Sequence, residues 1–309
     1  MNAVSTPSAA SGRPLAISLL LGVSGWFAGI FMLIFVALLI HPDGAASAAV
    51  TGIVLLAAAW GLFMVAHDGA QVFVAQLALA LAIAGQCLVV YAMSSHARSI
   101  GPIAAAALVL QVVLALVMPN RLHRTLSTLF ATIAWALTVR FVLFDAHADW
   151  HRDHPPQATA LPAALGGWLL TWGPVAAALW WALRNETAWA ARGWAALAQP
   201  LTTGLIAGLA FATLASQPLE EMRWFGGANA GSLALWPLLS ALAALGALAA
   251  AFAQGRRGLM ALCAVAALLH VGCFYYALGT SLLLKSLLML AMGVACIVAA
   301  RVLRSKEVA

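Results

Sequence analysis

Apolar residues run along the chain in stretches of about twenty, separated by short clusters of polar and turn-forming residues. Ten such stretches can be read: residues 15–40, 46–66, 72–93, 99–118, 125–144, 161–183, 194–215, 229–253, 259–277 and 281–303. The breaks carry helix-ending residues. His41, Pro42, Asp43 and Gly44 close the first stretch, Pro119 and Asn120 the fourth, and Gln254 to Gly258 part the eighth from the ninth. About 20 apolar residues in a helix cross the hydrocarbon core of a bilayer. The pattern predicts an all-α, polytopic transmembrane helix bundle of about ten spans. It forms a single domain over 15–303 between short tails, 1–14 and 304–309.

Composition narrows the class. Of 309 residues, 64% are hydrophobic and 8% charged, where a soluble domain carries about 25% charged residues. Too little polar material is present to skin a water-soluble core, which excludes an ordinary soluble enzyme and a disordered chain. Arg13 precedes an apolar run from 15 to 40, longer than the roughly 7–15 residues of a signal-peptide core, so the run reads as a retained first span. Cys87, Cys263, Cys273 and Cys296 lie in apolar stretches without a C-x-x-C pair and read as packing residues.

The net charge of +6 is spread over short loops, which points to membrane topology and not to nucleic acid. With alternating sides, one side holds Arg13, Arg121, Arg124, Arg184, Arg192, Arg256, Arg257, Arg301, Arg304 and Lys306, and the other Arg98, Arg152 and Arg223. The positive-inside rule then puts both termini in the cytoplasm. The acids lean outward: Asp43, Asp145, Asp149, Asp153, Glu220 and Glu221 against Asp68, Glu186 and Glu307. That bias directs attention to the outer face.

No carboxylate falls in the middle of a span, which argues against a carboxylate proton relay. Only His270 lies well inside one, while His123 sits at an inner end, so a haem held by two histidines at one depth is not expected. Arg140 and Lys285 enter the spans within about 6 Å of the outer boundary, close enough to snorkel. The ninth and tenth stretches form a hairpin that gathers His270, Tyr275, Tyr276 and Lys285 in one outer neighbourhood. These, with Arg140, are candidates for binding an anionic ligand or a partner's acidic segment. The competing reading is a snorkelling lysine, an interfacial tyrosine belt and a core histidine. Pro174, Pro200 and Pro237 are candidate kinks. Gly25 with Gly29, and Gly204 with Gly208, are small residues four apart that predict close helix packing.

Two patterns suggest chemistry. Residues 145–154 hold His147, His151 and His154 at i, i+4 and i+7 among three aspartates, a spacing that could hold zinc on a helix. Ala148 stands where a metalloprotease helix carries glutamate, so zinc hydrolysis is not indicated, and a solvated polar loop is the simpler account. Gly22, Val23, Ser24 and Gly25 match a G-x-S-G pattern that would need His270 as a base, but without a second histidine motif. Gln76, Gln86 and Gln111 read as buried amides bonding across helices.

The segments Phe274-Tyr275-Tyr276-Ala277-Leu278 and Leu282-Leu283-Leu284-Lys285-Ser286-Leu287, with Gly25-Trp26-Phe27 and Ala84-Gly85-Gln86, resemble a bacterial inner-membrane family catalogued as domain of unknown function 4401. The resemblance implies a multi-pass inner-membrane protein of about this size. It also implies a membrane-anchored partner protein bearing a Gly-Asp-Tyr-x-x-Leu-x-Tyr motif, and it adds weight to Tyr275, Tyr276 and Lys285. It brings no activity and no cofactor. Ten helices with cytoplasmic termini also resemble the drug/metabolite transporters, built from inverted five-helix repeats, though the prolines of the second half have no counterparts in the first. The expected function is a scaffold or subunit engaging a membrane-anchored or periplasmic partner, with a small-molecule transporter second and an enzyme third.

Overall fold

The structure is a computed structural model that describes residues 15–40, 44–66, 72–95, 97, 99–143, 161–216, 235–277 and 281–307. These residues form ten α-helices: α1 (Leu15–Ile40), α2 (Ala45–Val65), α3 (Val72–Ser94), α4 (Ile100–Val117), α5 (Arg121–Thr138), α6 (Leu161–Ala191), α7 (Ala195–Ser216), α8 (Leu235–Ala253), α9 (Arg257–Ala277) and α10 (Leu282–Glu307). A π-helical turn, Val139–Leu143, continues α5, and no strand occurs among the described residues. Each helix falls on one of the ten apolar stretches. Six are long and apolar enough to cross a membrane: Ala45–Val65, Val72–Ser94, Ile100–Val117, Arg121–Val142, Ala195–Ala212 and Arg257–Tyr275.

The distribution of side chains is that of a protein dissolved in lipid. Buried positions are dominated by alanine, among them Ala48, Ala59, Ala78, Ala82, Ala210 and Ala247, whereas Leu20, Phe31, Leu38, Val54, Leu169 and Leu268 point outward. In water such a surface would aggregate. In a bilayer, small residues belong at helix contacts and bulky apolar ones against the acyl chains. The chain is a multi-pass membrane protein.

The chain divides into two compact units, Met1–Arg124 and Thr125–Ala309. In the first, α3 packs against α1, α2 and α4. Glycines set these contacts. A Cβ added at Gly52 of α2 would stand 2.8 Å from the Gly85 carbonyl oxygen of α3, and one at Gly85 would stand 2.7 Å from the Gly52 carbonyl oxygen. The two backbones therefore touch with no side chain between them. A Cβ added at Gly25 would likewise stand 2.8 Å from the Phe73 carbonyl oxygen of α3, and Gly29 lies against Ala80.

In the second unit α7 packs against α6, α8 and α9, and α8 against α9. Its core joins Trp172, Val175 and Leu179 of α6 to Ile206, Ala207 and Ala210 of α7, Ala244 and Ala247 of α8, and Cys263, Ala266 and Ala267 of α9. Gly204 and Gly208 of α7 lie against Thr128 and Thr132 of α5, so both expected glycine pairs are packing sites. Gly193 and Gly255 end α6 and α8 with positive φ, 81° and 64°. The following amides bond back to Trp189 O and Ala251 O at 2.9 and 3.1 Å, closing the carbonyls that a helix end leaves free.

One end of this unit is fastened by polar groups. Arg256 Nη2 pairs with Glu186 Oε1 at 3.4 Å, Gln254 Nε2 donates to Glu186 Oε2 at 3.4 Å, and Arg256 Nη1 donates to the Thr203 hydroxyl. The C-terminal ends of α6 and α8 and the N-terminal ends of α7 and α9 therefore meet there. The N-terminal halves of α6 and α8 and the C-terminal halves of α7 and α9 share the opposite end.

Three boundaries depart from the sequence reading. α5 begins at Arg121 and not at 125, because Asn120 caps it: Oδ1 accepts from the His123 amide at 3.1 Å, and Arg124 N donates to Asn120 O at 3.0 Å. α6 runs on to Ala191, past the end of its apolar stretch, since a helix needs backbone bonds and not apolar side chains. α10 runs on to Glu307, four residues past the stretch read for it. Pro237 is the third described residue of α8, and the residues before Leu235 lie outside the described ones. Pro174 does lie inside α6. It denies the Leu170 carbonyl its helical donor, and the indole of Trp135 supplies one, with Nε1 donating to Leu170 O at 3.2 Å.

Candidate functional site

The buried face of α9 carries Cys263, Ala266, Ala267, His270 and Phe274. His270 is fully buried, and its Nε2 donates to the Ala210 carbonyl of α7 at 2.9 Å, which fixes the proton on Nε2. Five residues on, Tyr275 is turned off this face and half-buried. The Lys285 ammonium sits 5.0 Å from the centre of its ring. The hairpin thus brings Tyr275 and Lys285 together and directs His270 to the helix interface. Arg140 lies in the π-helical turn with its guanidinium 5.0 Å from the Phe141 ring. π-helical turns recur at functional sites, so Arg140 keeps its interest. Tyr276 is in α9, but its side chain is outside the described residues, as are His147, His151 and His154. Among the described residues no three His, Cys, Asp or Glu side chains gather to hold a metal. Ser24 Oγ donates to Leu20 O at 2.7 Å, the usual bond of a helical serine to the preceding turn.

A connected buried polar cluster in the first unit was only half visible in the sequence. Gln111 Nε2 of α4 donates to Gln86 Oε1 of α3 at 2.8 Å. Gln86 Nε2 in turn lies 2.9 Å from His123 Nε2 of α5, and His123 stands edge-on to Phe63 of α2 with ring centroids 5.8 Å apart. All three polar side chains are buried, His123 to 1% exposure. His123 is the third residue of α5 and so sits at a span end, as expected, but its imidazole is buried between helices and not in a loop. Gln111 Oε1 is left without a partner. The chain of bonds is reversible. With the proton on Nδ1, His123 Nε2 accepts from Gln86. With the proton on Nε2, both amides turn over, and Gln86 then donates to Gln111 Oε1. Hydrogen-bonding character at Gln111 is thereby tied to the tautomer of His123. Gln76 takes no part, its Oε1 accepting from Trp26 Nε1 at 3.0 Å.

Comparison with known proteins bears on which cluster matters. The sequence model of a family described as "Domain of unknown function (DUF4401)" matches residues 14–241. The chain belongs to the DUF4401 family. The DUF4401 match takes in α1 to α7 and the start of α8, and with them Gln86, Gln111, His123 and Arg140. His270, Tyr275, Tyr276 and Lys285 lie beyond it. The two triplets that carry the resemblance in the first half acquire physical reasons: Gly25 and Trp26 are the contacts of α1 with α3, and Gly85 and Gln86 are the α2 contact and the hub of the amide network. No curated protein and no solved structure matches the chain.

Proposed function

We propose that this DUF4401 protein is a ten-span subunit or scaffold of a bacterial inner membrane, with both termini cytoplasmic. In this reading α10 receives a membrane-anchored partner. The observation that supports it is the state of α10. None of its described side chains is buried, and Leu282, Leu283, Leu287 and Leu290 are between 54% and 75% exposed. Every other helix has a buried face among the described residues. A helix whose described side chains are all unburied has room there for a second transmembrane segment, and Lys285 beside Tyr275 offers a cation to an acidic group of that segment. The basic residues of the loops after α6 and α8 support the orientation.

Purification of the tagged chain from native membranes in mild detergent tests this reading. A stoichiometric second protein is expected, lost or weakened in Lys285→Ala while the chain itself stays inserted and abundant. A partner-free monomer from native membranes contradicts it. The transporter reading draws on one observation, the break at Pro174 with its Leu170 carbonyl held by Trp135. It expects ligand-dependent thermal shifts in that monomer.

A further inference from the structure

Two indole donors in the second unit have nothing to donate to. Trp168 and Trp172 stand one turn apart on α6, with ring centroids 6.3 Å apart and planes inclined at 57°. Trp172 is 3% exposed within the core formed with α7 and α8, and Trp168 packs against that core from its edge. Neither Nε1 has a hydrogen-bond partner. An indole N–H only donates, and a buried one ordinarily finds an acceptor. Trp135 shows this on the same stretch of α6, with its Nε1 on the carbonyl freed by Pro174.

A third group points the same way. Ser240 of α8 is fully buried and its Oγ is also unpartnered. Buried serines and threonines in helices relieve themselves by bonding to the preceding turn, as Thr171 does to Gly167 O at 2.9 Å. Ser240 does not. It lies one turn from Ala244, on the face that α8 gives to the core. Trp168, Trp172 and Ser240 all belong to the N-terminal halves of α6 and α8, at the end away from the Glu186–Arg256 pair. If the need were only to fill space, leucine or phenylalanine would do so without stranding a donor.

We propose that these three side chains form a site for a carbonyl group of a neutral, membrane-dissolved molecule. Its oxygen accepts from the two indoles, with the Ser240 hydroxyl as a further donor. Neutrality follows from the surroundings: the core around Trp172 is alanine, valine, leucine, isoleucine and one cysteine, with no charged side chain in it, and there a carbonyl is far cheaper to bury than a carboxylate or phosphate. Entry is from the lipid side past Trp168, which is half-buried, beside the exposed Leu165 and Leu169. Two classes of membrane molecule that carry such a group are glycerolipids, in the acyl ester, and quinones, in the ring carbonyl.

The test uses the purified full-length chain in detergent, with dioctanoylglycerol and decylubiquinone as separate probes and the thermal midpoint as the readout. One probe should raise the midpoint saturably, and its identity names the source of the carbonyl. In Trp172→Phe, half-saturation should need about tenfold more probe, the loss of one well-formed hydrogen bond. Should the smaller ring itself unfold the protein, site-specific replacement of Trp172 by 3-benzothienylalanine keeps the shape and removes only the N–H. That protein should have an unchanged or higher midpoint without probe, and the same tenfold loss with it. No saturable shift with either probe, or an equal shift in the donor-less protein, overturns the proposal.

Discussion

In Met1–Arg124 the helices meet backbone to backbone at Gly52 and Gly85, and the buried amides and imidazole bond to one another across α3, α4 and α5. In Thr125–Ala309 the glycines of α7 meet threonine side chains, a proline opens α6, and three indoles face inward with only one of them bonded. Both units bury polar groups in an apolar surrounding, but what each leaves over differs. Among the described residues, the first leaves Gln111 Oε1 and Arg124 Nε without a hydrogen bond, both on residues that are bonded elsewhere, which is the milder kind of deficit. The second leaves Gln254 Oε1, on an amide whose other half is bonded, and with it the whole donors of Trp168, Trp172 and Ser240. A closed network holds helices in one arrangement; unmet donors set aside for an acceptor mark a place that receives something. The difference teaches that inside the helix cores of this chain site candidates follow from unfinished hydrogen bonding, whereas on α10 the candidate, Lys285, follows from charge.

The largest effect expected from breaking the comparison is at the backbone contact. Gly85→Val should lower the stability of the first unit by about 3 kcal/mol, because neither the Gly52 carbonyl nor its helix can move aside. Gly246→Ala on α8, which meets nothing within 4 Å, should be neutral or stabilising by up to about 1 kcal/mol from helix propensity. Thermal unfolding in detergent reads both. A loss at Gly246 equal to that at Gly85 would mean that packing in the two units does not differ as described.

Gln86→Leu should come next. It removes two hydrogen bonds and strands Gln111 Nε2 and the ring nitrogen of His123, at about 2 kcal/mol. Adding Gln111→Leu to it should recover part of that loss, since one stranded group goes. Purely additive losses would show that Gln86 and Gln111 are not coupled. The smallest effect is at Trp135→Phe, which leaves the Leu170 carbonyl without a donor and should cost about 1 kcal/mol beyond the change in ring size. Restoring the helical donor with Pro174→Ala in the same chain should remove that cost.

The fold was legible because apolar runs report spans directly: α1, α2, α3 and α4 lie within a residue or so of the stretches read for them. The start of α5 was missed because Arg121, His123 and Arg124 look like loop, whereas Asn120 caps the helix that contains them. That one cap also hid the burial of His123 and so the far end of the amide network. Gln86 and Gln111 were visible as amides in apolar sequence, but nothing in their spacing, 25 positions apart, says that they touch. The stranded indoles were illegible for a plainer reason. Tryptophan suits a membrane helix wherever it falls, and only neighbouring atoms show whether its N–H has an acceptor.

The measurement that bears most directly on the proposed role is photo-cross-linking in native membranes, from a reactive residue placed at Leu283 or Leu290 of α10 and, for comparison, at Phe31 of α1. Both helices are exposed at these positions, but α1 is already seated on α3 through Gly25 and Gly29. The account predicts one discrete protein adduct from both α10 positions and lipid adducts alone from Phe31. Lipid adducts alone from α10 as well would contradict it.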